Sequence, residues 1–130
     1  MIISSDLHYK NICFYGAYRR EKQLAILFSD GTSAVVLYRS HCLLKRLGLG
    51  FLGSLLLDLN KFLNGCVIGK EFETGPGFVL MHPIGVVING QVKAGKNLVV
   101  ESGVVIGAAR NGLPVNVPVI GDNVFIGAGA

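Results

Sequence analysis

Beyond Gly65 the apolar residues of this chain recur at a spacing of six, which matches neither an α-helix nor an alternating strand. Ile68, Thr74, Leu80 and Val86 form one such series, and Phe72, Phe78, Ile84 and Gly90 follow four residues behind each of them. Two extra residues intervene, and the register resumes at Ala94, Val100 and Ile106 with Leu98 and Val104 as companions. After a longer insertion it returns at Ile120 and Ile126 with Val124. A hexapeptide period is the mark of a parallel β-helix, in which each short strand forms one side of a coil. Gly69, Gly75, Gly95, Gly107, Gly121 and Gly127 follow the aliphatic position, where the backbone must turn a corner in little space. An antiparallel sandwich with glycine turns is the competing architecture, and the regularity of the period argues against it.

Upstream the period is helical. Leu37, Leu44 and Leu47 predict an amphipathic helix that starts near Thr32, with Ser29, Asp30 and Thr32 as N-cap candidates and Gly48 as its stop. A second helix is predicted over 49–63, with Leu52, Leu55, Leu56, Leu59 and Leu63 on the buried face and Asp58, Asn60 and Lys61 on the other. The segment before residue 32 gives no clear period: Ile12 to Tyr18 reads equally as strand or helix. Arg19, Arg20, Glu21 and Lys22 read as a solvated face. The predicted organisation is an N-terminal helical segment, 1–64, followed by a hexapeptide-repeat β-helix, 65–130.

Composition supports that division. Residues 1–64 hold eight Lys/Arg against four Asp/Glu, residues 65–130 hold four of each, and thirteen of the 18 glycines lie in the second part. The basic half has no nucleic-acid motif and no aromatics interleaved with its charges, so nucleic acid is not an expected partner. Cys13, Cys42 and Cys66 are odd in number and widely spaced, which predicts neither a disulfide framework nor a metal site. The longest apolar stretch, Leu47 to Leu57, is too short for a membrane span and carries three glycines, and Ser4, Ser5 and Asp6 break the early apolar run. The expected location is cytoplasmic.

Candidate chemistry centres on LMHPIGVVING, residues 80–90, which sets His82 in an apolar, glycine-punctuated run. A neutral imidazole on rigid scaffolding can take a proton from a hydroxyl. A structural histidine is the alternative. His8 and the 19–22 run receive no role, and His41, on the first predicted helix, faces solvent or a partner in this reading.

The motifs GPGFVLMHPIGVVING, AGKNLVVESGVVIGAARNG and VIGDNVFIGAGA, with RSHCLLKRLG before them, resemble the serine acetyltransferase branch of the hexapeptide-repeat acyltransferases, together with relatives that acetylate sugars. The resemblance implies a left-handed coil, against the usual right-handed crossover, a homotrimer, and acetyl-CoA as the donor, lying between neighbouring prisms. It implies His82 as the general base acting on the hydroxyl of a small-molecule acceptor, serine or a sugar. It places the CoA arm on Gly107 and Ala108 and on Gly127 and Ala128, with Arg110 of the 108–119 insertion reaching a CoA phosphate. The chain departs from that branch at Met81, where an acidic residue is expected, and at Asn116 and Val117, where an Arg-His pair is expected. It departs again near Val67, the place of the carboxylate that orients the base; Glu71 and Glu73 are the nearest acids in sequence. These departures leave a catalytically incomplete trimeric scaffold of the same fold as the alternative function. The sequence also stops at Gly129 and Ala130 in the middle of a repeat, as a fragment would.

Overall fold

The computed structural model describes residues 1–109 and 115–130. Four α-helices come first: α1 (Ile2–Tyr15), α2 (Gln23–Leu27), α3 (Thr32–Arg46) and α4 (Gly50–Asn64), with a short 3-10 turn, Arg20–Lys22, between the first two. Among the described residues nine two-residue strands follow, β1 (Val67–Ile68), β2 (Glu73–Thr74), β3 (Val79–Leu80), β4 (Val87–Ile88), β5 (Lys93–Ala94), β6 (Val99–Val100), β7 (Val105–Ile106), β8 (Val119–Ile120) and β9 (Phe125–Ile126). They form three parallel sheets in the orders β1-β4-β7, β2-β5-β8 and β3-β6-β9. Each sheet is one wall of a prism.

The second residue of every strand points into the prism, because successive side chains of a strand face opposite ways. Ile68, Ile88 and Ile106 stack in one column and Leu80, Val100 and Ile126 in another. The register differs from the sequence reading in one respect. Val87–Ile88, not Val86, aligns with Val67–Ile68, so the two additional residues fall between Leu80 and Ile88 and not after Gly90. Val86 is then the fully buried companion of Ile88, and Ile84 is 72 % exposed. The corner 81–86 is thereby two residues longer than the stacked corner 101–104. His82 sits on that expansion.

The helical part plugs the first coil. A first coil has no neighbour on one side, which leaves a row of unpaired carbonyls. Side chains of α3 satisfy them: Tyr38 Oη donates to the Phe72 carbonyl at 2.7 Å, Arg39 donates to the Thr74 and Gly75 carbonyls at 3.0 and 2.7 Å, and His41 Nε2 lies 3.0 Å from the Lys70 carbonyl. Arg39 also pairs with Asp6 of α1 at 2.8 Å, and Asp6 accepts the Gly77 and Phe78 amides. Tyr38, Phe72 and Phe78 pack as an aromatic triangle with centroids 5.4–5.6 Å apart. His41, expected to face solvent or a partner, is instead buried against the first coil, 1 % exposed.

The faces of α3 and α4 also differ from expectation. On α4 the buried residues are Gly53, Leu57 and Asn60, while Leu52, Leu55, Leu59 and Leu63 are exposed. Close approach decides this: a Cβ on Gly53 would lie 2.9 Å from His41 Nδ1, and Asn60 Nδ2 donates to the Ala34 carbonyl at 3.0 Å. On α3 the inward residues are Ala34, Val35, Tyr38, Arg39 and His41, and Leu47 is exposed. Hydrogen bonds to the open coil outweigh the burial of leucine methyls, since an unmade buried bond costs ~1–3 kcal/mol. Residues 2–15 form α1, and they show no apolar period because the helix's buried positions are polar: Asp6, Lys10 and Asn11.

Candidate functional site

Asp30 and Gly31 join the helical part to the coil beside His82. Gly31 has φ +78°, and a Cβ there would stand 2.0 Å from the Leu80 carbonyl oxygen, so only glycine lets the 29–32 turn rest on β3. The expected N-cap roles are not taken. Ser29 and Thr32 hydroxyls donate instead to the Ile26 carbonyl at 2.7 and 2.8 Å, and α3 has no side-chain cap. Asp30 is thus free to turn its carboxylate to His82, where Oδ2 lies 3.2 Å from Nδ1. A carboxylate only accepts, so the neutral ring carries its proton on Nδ1 and leaves the Nε2 lone pair open.

The pair lines a crevice of about 940 Å³ together with Phe28, Ser33, Leu63, Ile84 and Ser102. That volume suits a small ligand. The two acids nearest in sequence are committed elsewhere: Glu71 to Lys45, whose hydrogen bond and charge hold its carboxyl below the ordinary range, and Glu73 to Lys93 at 2.9 Å. Neither is the carboxylate on His82. Val67 faces outward on the β1-β4-β7 wall. Asp30 went unrecognised because it lies 52 residues from His82 and reads as a helix cap; the available signal was the Asp-Gly pair, which marks a turn.

Lys10 supports the same turn. Its buried ammonium donates to the Asp30 carbonyl and to Thr32 Oγ1, the latter at 2.9 Å. Burial pushes its pKa down to about 8, and the charge of Asp30 offsets part of that shift.

The other expected site residues fall on two edges of the prism. Gly127 and Ala128 follow β9, at the edge where His82 follows β3, and the Gly129 amide donates to the Ser102 carbonyl at 2.9 Å. Gly107 and Ala108 follow β7 on a different edge. A Cβ on Gly107 would meet nothing within 4 Å, so the main chain there is open to a close ligand. Arg110 lies outside the described residues. The insertion closes at its base through a mutual pair of Ala109 and Asn116 amide–carbonyl bonds, 2.8 and 3.2 Å, and Val117 packs against the core. Met81 immediately precedes His82, as the sequence reading noted. Among the described residues no cluster of three or more His, Cys, Asp or Glu could hold a metal, and no helix is long and apolar enough to cross a membrane.

No protein-family model matches the chain. Individual relatives do. A serine acetyltransferase of Synechocystis sp. is 32 % identical over 108 residues, covering 82 % of this chain and 43 % of its own length. One of Helicobacter pylori is 31 % identical over 112 residues, covering 85 % of this chain and 65 % of its own. The chain therefore spans less than two thirds of either relative. Among solved structures, Neisseria gonorrhoeae serine acetyltransferase in complex with serine superposes with a TM-score of 0.79 at 28 % identity, over 98 % of this chain and 52 % of that one. Helices and coils align together in that match. Sequence and backbone agree that this chain belongs to the serine acetyltransferase-like hexapeptide-repeat family and builds the left-handed parallel β-helix of that family.

Proposed function

We propose that the chain carries the base of an O-acetyltransferase that moves an acetyl group from acetyl-CoA to the hydroxyl of a small acceptor, serine or a sugar. The carrying observation is the 3.2 Å contact between Asp30 and His82 Nδ1. A carboxylate on one ring nitrogen fixes tautomer and orientation and steadies the imidazolium that forms when the other nitrogen takes a proton. His82 Nε2 accepts the acceptor's hydroxyl proton as the oxygen attacks and returns it to the departing thiolate. Acetyl-CoA supplies the activated thioester. Asp30 stays ionised throughout.

The two small-residue edges support a donor bound between neighbouring copies. Gly127 and Ala128 share the His82 edge and Gly107 and Ala108 lie on another, so a groove between two prisms brings one edge of each together. The outer wall β1-β4-β7 presents Val67, Val87 and Val105 in register, 41, 38 and 60 % exposed, an apolar strip that fits a second copy. A cytoplasmic homotrimer accounts for it, and the three free thiols suit a reducing compartment.

The test is release of free CoA thiol from acetyl-CoA with L-serine and with a panel of saccharides. His82→Ala is expected to reduce turnover on the order of 100-fold or more, and Asp30→Asn by about tenfold or more, with little change in the KM for acetyl-CoA. Equal rates for wild type and His82→Ala refute the assignment.

A further inference from the structure

The buried ammonium of Lys10 belongs to no part of the reaction just described, yet it ends on the residue that faces His82. Lys10 is 3 % exposed, on the inner face of α1, and its two hydrogen bonds both go to the 29–32 turn. One holds the main-chain carbonyl of Asp30. The other holds Thr32 Oγ1, which in turn donates to the Ile26 carbonyl at 2.8 Å. From the opposite side the turn is pressed on β3 through Gly31. The Asp30 main chain is thus gripped between α1 and the coil, and from that fixed point its exposed carboxylate reaches His82.

We propose that Lys10 is a positioning residue of the site: its ammonium fixes the main chain of Asp30 and, through it, the orientation and tautomer of His82. The inference rests on the proposed function for its kinetic consequence, but the geometry can be read without turnover. A buried charged side chain is retained at a cost in solvation, and charge-assisted hydrogen bonds to a carbonyl are about twice as strong as neutral ones. The charge that bears on Lys10 is the Asp30 carboxylate; Asp6, one helical turn earlier and lining the same small cavity, is paired with Arg39. Tyr9 and Cys13, its neighbours on α1, are both pushed upward by burial and so titrate above it. The Phe14 ring lies 5.8 Å from Nζ.

The experiment is ¹⁵N NMR of the histidine side chains in the full chain, which reads the fraction of His82 with its proton on Nδ1. Wild type at about pH 7.5, where histidine is largely neutral, is expected to show mainly the Nδ1–H form. Asp30→Ala is expected to lose it, and Lys10→Met to lose most of it while the amide spectrum stays folded. Adding Lys10→Met to Asp30→Ala should change nothing further. In the CoA-release assay Lys10→Met should lower kcat by about tenfold with KM for acetyl-CoA unchanged. A Lys10→Met protein with the wild-type tautomer fraction overturns the proposal while leaving the role of His82 intact. Should Lys10→Met fail to fold, a second variant keeps the geometry testable. Lys10→Gln then gives the second measurement, because its shorter amide cannot reach both the Asp30 carbonyl and Thr32 Oγ1; its Nδ1–H fraction should fall, and a wild-type fraction overturns the proposal equally.

Discussion

Replacing Gly31 by alanine tests the joint between helices and coil most directly. Two costs can be separated. The first is conformational: φ is +78°, and a left-handed residue with a Cβ costs about 1–2 kcal/mol. The second is steric: the new Cβ would sit 2.0 Å from the Leu80 oxygen and 2.8 Å from its carbonyl carbon, whereas ordinary contact begins at 3.4 Å. The turn must therefore retreat by more than 1 Å, at a further ~1–3 kcal/mol for overpacking. Asp30 moves with it, and a 3.2 Å hydrogen bond to His82 does not survive a shift of that size. Gly48→Ala is the matched control, because Gly48 has φ +79° and nothing within 4 Å of the added Cβ. Urea unfolding should place Gly31→Ala about 2–5 kcal/mol below wild type and Gly48→Ala only about 1–2 kcal/mol below. CoA release should fall by about tenfold or more in the first, as in Asp30→Asn, and stay at the wild-type rate in the second. If the two variants have the same stability and the same turnover, the turn is not seated on β3 as described.

Two further outcomes follow from buried charge. Arg39→Met leaves Asp6 ionised and buried without its partner and removes the donors to the Thr74 and Gly75 carbonyls, so it should destabilise the protein by about 3–5 kcal/mol in urea unfolding. Lys10 acts on stability with the opposite sign from its effect on the site. Burial lowers its folded-state pKa from 10.5 to about 8, so between those values the unfolded chain binds more protons than the folded one. The stability of wild type relative to Lys10→Met should be flat below pH 8, rise by ~3 kcal/mol between pH 8 and 10.5, and level off beyond. Parallel urea curves across that range settle it; a difference that falls with pH contradicts the burial of a charged amine.

The hexapeptide series was legible because a β-helix repeats one local environment, and nearly every inward position is filled by an aliphatic side chain, Thr74 being the exception. His82 stood out for the same reason, as a polar residue at a corner of an otherwise regular array. The register around it was misassigned by two residues, since Val86 satisfies an apolar spacing whether it is a strand residue or its companion; only pairing with Ile68 distinguishes them. Asp30 was beyond reach because its role depends on where α3 docks, and docking is governed by Tyr38, Arg39 and His41 meeting carbonyls some thirty residues away. The outward leucines of α4 show the same limit. Helical spacing identifies an apolar stripe, but a neighbour that needs a glycine and an asparagine at the contact turns that stripe to the outside.

The side chains of α3 that meet the first coil have a consequence for how such a protein can change its length. Repeat arrays lengthen when a unit is duplicated and the new copy zips onto a free end. Here that end is occupied by a phenol, a guanidinium and an imidazole matched to particular carbonyls, so an inserted turn of the spiral would have to displace all three at once. Duplication is confined to the other end, and the distance from α3 to His82 stays constant however many turns are added beyond it.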